Sequence, residues 1–161
     1  MTEDEFVLAW RDHLSAISKF LSRRVDQSEV EDLAADVFEI AWRKKEQPQT
    51  GFELAWLYKI AGFVVANHRR KTFSRNGVVI ALGLEQLVNA SYAVNPELVA
   101  IRDLSLAEAL KSLGEKDRAL LTLTALDGLP VAQAASLLGL TANAASIRLN
   151  RARKLLAEKL S

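Results

Sequence analysis

Apolar residues between Phe6 and Phe20, among them Trp10, Leu14 and Ile17, recur at steps of three and four, the period of an amphipathic helix. They predict a first helix over Glu3–Ser22. Val30, Leu33, Val37 and Ile40, joined by Ala34, Phe38 and Ala41, form a broad apolar face that predicts a second over Glu29–Lys45. Ser28 followed three residues later by Glu31 has the spacing of a capping box at its start. Pro48 to Gly51 interrupts the pattern, which Leu54, Leu57, Ile60, Val64 and Ala66 resume over Phe52–Lys71. That third helix ends in His68, Arg69, Arg70 and Lys71. Between Thr72 and Asn95 the helical period fades, Gly77 and Gly83 appear, and Asn95-Pro96 restricts the backbone before another helix begins. The segment reads as a linker. Val78, Val79, Ile80, Leu82, Leu84, Leu87 and Val88 make it apolar enough to pack against something instead of floating.

From Glu97 the pattern returns, with Leu106, Leu110 and Leu113 on one helix, a break at Gly114, and Asp117 to Leu126 on the next. Gly128 and Pro130 close that stretch. Val131 to Leu138, the tight Gly139-Leu140-Thr141 turn and a final helix from Ala142 toward Lys159 then have the form of a helix-turn-helix. Ala134, Ala135 and Leu138 are placed to face inward, Gly139 to permit the turn, Leu140 to plug the angle and Thr141 to cap the last helix. Ala145, Leu149, Ala152 and Leu156, spaced four, three and four, make one buried stripe. Asn143, Ser146, Ile147, Asn150, Arg151, Arg153 and Lys154 occupy the other face, where early residues can reach base edges and later cations can hold phosphate. A plain helical hairpin with a solvated basic face would share these features, and the basic clustering weighs against it. The fold class expected is all-α, with two small helical domains (1–75 and 96–161) joined by a linker (76–95), the second containing the helix-turn-helix.

Charge sharpens the picture. A net charge of +1 over 161 residues conceals ten acidic against four basic side chains in residues 1–40, and eight basic against two acidic in 41–75. The last 21 residues hold five basic side chains with Glu158 alone opposing them. Two stretches can therefore meet phosphate, and one acidic stretch should avoid it. With no Cys and only His13 and His68, disulfides, thiolate metal sites and histidine-based catalysis have little material. No Gly-rich phosphate loop or nucleophile elbow is present, and the carboxylates lie on amphipathic helices without an evident cleft. Neither an enzyme, nor a metal, nor a cofactor is expected. Glu3, Asp4 and Glu5 stand where a secretory signal would be basic and apolar, and no run approaches the roughly 20 apolar residues of a membrane span. A cytoplasmic protein without membrane insertion is the expectation.

Glu31-Asp32-Leu33-Ala34-Ala35-Asp36-Val37-Phe38-Glu39-Ile40-Ala41-Trp42 resembles the core-polymerase-binding helix of extracytoplasmic-function sigma factors, a group of the bacterial sigma-70 family. Ala55-Trp56-Leu57-Tyr58-Lys59-Ile60-Ala61, followed by Ala66-Asn67-His68-Arg69-Arg70, resembles the family's helix for promoter melting and minus-ten reading. Lys116 to Leu121, through Gly128-Leu129-Pro130 and on to Arg151-Ala152-Arg153, resembles its minus-thirty-five-reading region.

The resemblance implies that Asp32, Asp36 and Glu39 face the clamp helices of the polymerase's largest subunit, with Leu33 and Phe38 touching them or supporting the acidic face. It also implies that the loop from Gln47 to Phe52 takes a base flipped from the non-template strand, with Phe52, Lys59, Asn67, His68, Arg69 and Arg70 as minus-ten contacts. His68 serves there either as a phosphate contact or as a polar cap on a basic helix end. Trp56, at helical spacing among apolar neighbours, reads as core. Thr141, Asn143, Ser146, Ile147, Arg148, Asn150, Arg151, Arg153 and Lys154 are the implied minus-thirty-five contacts. The implied partners are core RNA polymerase, also through its flap region and the C-terminal domain, promoter DNA, and an anti-sigma factor.

The chain departs from the common pattern with Gly62 and Phe63 after the Ile-Ala, with Ala35 in the acidic helix, and with Ser146 and Ile147 in the last helix. Ile147 can offer only apolar contact, for instance to a thymine methyl. A rival reading is a stand-alone helix-turn-helix transcriptional regulator that never touches polymerase, for which the acidic helix and the Trp-Leu-Tyr helix would have no use.

Overall fold

The computed structural model describes residues 2–44, 48–75, 83–100 and 103–161, and every regular element among them is helical. In chain order these are α1 (Glu3–Ser22), α2 (Gln27–Lys44), α3 (Glu53–Arg75), α4 (Leu84–Ser91), α5 (Pro96–Ala100), α6 (Leu104–Lys111), α7 (Glu115–Leu121) continued by a π-helical turn over Thr122–Leu126, α8 (Val131–Leu137) and α9 (Ala142–Leu160). Contacts divide the chain into two compact units, Met1–Val88 and Asn89–Ser161.

In the N-terminal unit α1, α2 and α3 each pack on the other two. Their apolar stripes meet in a core of Ile17, Phe20 and Leu21 from α1, Val30, Leu33, Val37 and Phe38 from α2, and Leu57, Tyr58, Ile60, Ala61 and Val65 from α3. The capping box lies at α1, where the Glu5 amide donates to Thr2 Oγ1 at 3.2 Å and the Thr2 amide donates to the Glu5 carboxylate at 2.9 Å. The box expected at Ser28 and Glu31 does not form. The Glu29 amide already donates to the Asp26 carbonyl at 2.9 Å, so the chain turns earlier and Ser28 falls inside the first turn of α2. Lys45, the expected end of that helix, lies outside the described residues.

Arg24, just past the end of α1, is only 2% exposed. A buried cation is costly unless it is compensated. Here the guanidinium lies 3.5 Å over the Phe20 ring and donates to the Phe20 carbonyl at 2.8 Å, one of the acceptors that a helix C-terminus leaves open. Phe20 in turn stacks on Tyr58 with centroids 4.7 Å apart. The end of α1 is thereby tied to the second turn of α3.

The segment read as a linker is partly structured. Two-turn α4 covers 84–91, a length that gives a helical period hardly one repeat to be recognised by. Its start is fixed by the Gly83 amide donating to the Gln86 side-chain oxygen at 2.8 Å, half of a capping box. Tyr92, Ala93 and Val94 are buried, and the Val94 amide donates to Thr122 Oγ1 at 3.1 Å, so these residues belong to the C-terminal unit. Val78, Val79, Ile80 and Leu82 lie outside the described residues.

In the C-terminal unit Val94, Leu110, Leu113 and Ala152 form a buried cluster, with Val99, Leu106, Leu121 and Leu156 against it. The helix predicted to run to Leu126 changes character at Thr122. Thr122 and Thr124 turn their hydroxyls back onto the Arg118 and Leu120 carbonyls, at 2.6 and 2.7 Å, and compete for acceptors of the ordinary ladder. The wider turn follows, closed by the Asp127 amide on the Thr122 carbonyl at 2.9 Å. Beyond it α8 and α9 form the elbow. Ala134, Ala135 and Leu138 are buried as expected, Gly139 adopts φ 69°, and Thr141 accepts from the Ala144 amide at 3.1 Å as the cap of α9.

Candidate nucleic-acid interface

In the N-terminal unit, burying Val30, Leu33, Val37 and Phe38 turns Asp32, Ala35, Asp36 and Glu39 outward, and all four are exposed. Glu39 pairs with Arg43 one turn on, which offsets part of its charge. Leu33 is 6% exposed and Phe38 0%, so neither presents a contact surface and the supporting role is the one available to them. Phe38 is covered by the Trp10 and Phe6 rings, with centroids 4.4 and 6.4 Å away. The acidic face therefore rests on an aromatic floor.

Sequence reasoning set the acidic and basic stretches apart, whereas the fold makes them the two lips of one groove. A cavity of about 410 Å³ is lined by Glu29, Asp32, Asp36 and Glu39 of α2 and by Phe63, Asn67, His68 and Lys71 of α3. A second, more apolar groove of about 430 Å³ is lined by Ile40, Lys44, Trp56, Lys59, Ile60, Phe63 and Val88. Trp56, expected in the core, is half-buried and forms part of this open wall. Phe63 is 39% exposed and borders both grooves, a position that the sequence registered only as a departure from a pattern.

The expected minus-ten contacts do not form one set. Lys59, Asn67 and Arg70 follow one another at helical steps with Phe63 between them, and Arg70 Nη2 donates to Asn67 Oδ1 at 2.8 Å. Phe52 is exposed just ahead of α3, where the Trp56 amide closes the first turn on its carbonyl at 3.0 Å. His68 is half-buried in the mixed-charge groove, facing carboxylates as well as lysine. Arg69 points elsewhere, its Nη2 donating to the Arg24 carbonyl at 3.2 Å, so it braces the end of α1. Gln47, the start of the expected base-pocket loop, lies outside the described residues.

In the C-terminal unit the buried stripe Ala145, Leu149 and Ala152 fixes the outward face of α9. Thr141, Asn143, Ser146, Ile147, Asn150, Arg151, Arg153 and Lys154 are all exposed, and Ile147 is 46% exposed. Arg148 is the exception among the expected contacts. It flanks the buried stripe, and its Nη1 donates to Asp117 Oδ1 of α7 at 3.0 Å, in a pair whose side chains are 42% and 28% exposed. The partners are 31 residues apart, so no local pattern announces the pairing. Among the described residues no group of three His, Asp or Glu side chains is placed to hold a metal ion, and no helix is long and apolar enough to cross a membrane.

With this geometry in place, the comparisons with known proteins fall on the same two units. Residues 9–74 match the family model for Sigma-70 region 2, and residues 103–156 match that for Sigma-70, region 4. Among solved structures, the chain is similar to CnrH in its complex with the cytosolic domain of CnrY, at 25% identity and a TM-score of 0.66, over 99% of this chain and 89% of that one. It is also similar in fold to the sigma factor RpoE in complex with the anti-sigma factor NepR from Bartonella quintana, at 23% identity and a TM-score of 0.60, over 98% and 95% of the two chains. No curated protein matches.

Proposed function

The chain belongs to the sigma-70 family, with region 2 and region 4 in one polypeptide as in its extracytoplasmic-function group, and from that premise we propose how its surfaces divide the work of a sigma factor. Such a factor binds core RNA polymerase and directs promoter-specific initiation. The observation that carries the division is the exposed acidic face of α2, held on buried Leu33 and Phe38 in one unit, together with the basic outer face of α9 in the other.

Asp32, Asp36 and Glu39 dock on a basic surface of the polymerase, the clamp helices of its largest subunit, where charge complementarity sets orientation and encounter rate. The C-terminal unit adds contact with the flap region. Lys59, Phe63, Asn67, Arg70 and Phe52 receive the minus-ten strand, with aromatic stacking and phosphate contact offsetting the few kcal/mol needed to unstack a base. The outer face of α9 reads the minus-thirty-five element, and the chain between α3 and the C-terminal unit sets the reach between the two. The protein acts in the cytoplasm as a binding factor without catalysis of its own. The solved relatives bound to CnrY and to an anti-sigma factor support a further partner here, a protein inhibitor that covers these surfaces.

The reading is tested by polymerase binding with charge reversal. Asp32→Lys with Asp36→Lys should weaken binding of the full chain to core polymerase at least ten-fold at low salt and leave its thermal unfolding unchanged, since both side chains are exposed. Equal binding by the parent and the reversed variant would remove α2 from the interface. No binding by the parent at micromolar concentration would favour the stand-alone regulator.

A further inference from the structure

Resting on the reading of α9 as the helix that enters the major groove, we infer that its base-reading face is built for A·T pairs. Ile147 meets a thymine methyl, Asn143 and Asn150 meet adenine edges, and the one arginine between Ala142 and Asn150, Arg148, is paired with Asp117. Asn143, Ile147, Asn150 and Lys154 recur at steps of four, three and four on the side opposite the buried stripe Ala145, Leu149 and Ala152, and all four are exposed. Ile147 is the apolar member at the middle of this otherwise polar face, with 46% of its surface open. An isoleucine there has no hydrogen bond to offer, and of the groups displayed in the major groove only the thymine methyl rewards it.

An asparagine amide, by contrast, can bond adenine N6 and N7 together. Guanine is commonly read by an arginine or a lysine on O6 and N7. Arg148 is the sole arginine in this part of the helix; it lies toward the buried stripe and away from the Asn143–Ile147–Asn150 line, and its Nη1 donates to Asp117 Oδ1 of α7 at 3.0 Å. Arg151 is turned about 100° round the helix from Asn150, and Lys154 lies a full turn beyond Asn150, past the N-terminal residues of a recognition helix that contact bases, so phosphate is the nearer target for both. Ser146, on the flank, can bond either kind of pair and does not alter the balance.

The test binds the holoenzyme, the full chain on core polymerase, to duplexes randomised across the upstream element, and then exchanges thymine for uracil one position at a time in the selected sequence. The inference expects neighbouring A·T pairs where α9 protects the DNA. One thymine-to-uracil exchange there should weaken binding about four-fold, the loss of one buried methyl group. Ile147→Ser should make that same exchange neutral, and Asn143→Ala or Asn150→Ala should cost about ten-fold at an adenine. A selected element led by G·C pairs under α9, or an equal uracil penalty in Ile147→Ser and in the parent chain, would overturn it. Arg151→Ala with Arg153→Ala separates this failure from that of the underlying reading. If the double variant loses affinity while the element is G·C-led, only the A·T preference falls; if it changes neither affinity nor salt dependence, both fall.

Discussion

The elbow between α8 and α9 rests on one backbone angle, and Gly139→Ala measures what that angle contributes. Gly139 has φ +69°, and a Cβ placed on it meets nothing within 4 Å, so the substitution introduces no clash and its cost is conformational alone. An L-residue in the left-handed region costs about 1–2 kcal/mol, of which about 0.4–1 kcal/mol is offset by the stiffer unfolded chain. The net loss is about 1 kcal/mol, which lowers the unfolding midpoint of a unit this size by about 4–8 °C. Asparagine visits the same region far more readily than other non-glycine residues, so Gly139→Asn should retain most of the stability. The Leu140 amide donates to the Ala135 carbonyl at 2.9 Å and the Gly139 amide to the Ser136 carbonyl at 3.3 Å. Relaxing φ in the alanine variant would open these bonds and swing α9, so affinity for upstream DNA should fall along with stability. Thermal unfolding followed by circular dichroism, paired with DNA binding, reads both effects. An alanine variant as stable as the parent, or an asparagine variant no better than alanine, would refute the argument.

Other expectations follow from the same geometry. Arg151→Ala with Arg153→Ala removes two exposed cations and should lower the salt slope of DNA binding by about 1.8, with stability within about 0.5 kcal/mol of the parent; an unchanged slope would take both off the phosphates. Asp117→Asn releases Arg148 from a half-exposed pair, costs under about 1 kcal/mol of stability, and should raise affinity for upstream sequences containing guanine. Competition binding reads that change, and an unaltered preference would place Arg148 out of reach of the bases. Phe38→Ala empties the aromatic floor beneath the acidic face and should cost about 3–5 kcal/mol in denaturant unfolding. A loss under about 1 kcal/mol accompanied by weaker polymerase binding would instead make Phe38 a contact residue.

Long-period features were readable in the chain, and features made by distant or very short segments were not. Helix α1 and the stripe Ala145, Leu149 and Ala152 emerged from apolar spacing because several turns repeat the signal. Helix α4 escaped because it has barely two turns, and the start of α2 was misplaced because a backbone turn at Asp26 pre-empted the Ser28 cap. The acidic and basic faces were both seen, yet their union in one groove depends on how α2 packs on α3, which periodicity does not specify. The resemblance put Arg148 and Arg69 among the DNA contacts; their hydrogen bonds to Asp117 and to the Arg24 carbonyl join segments 31 and 45 residues apart, which no local pattern announces. The resemblance left Phe38 either touching the partner or supporting the acidic face, and its burial places it beneath that face.

Transcription by core polymerase on a pool of promoter fragments, with and without the purified chain, tests most directly whether this protein directs initiation. Discrete start sites should appear only when the chain is added and should vanish with the Asp32→Lys and Asp36→Lys reversal. A chain that binds DNA while transcription stays at the level of core polymerase alone would contradict that role.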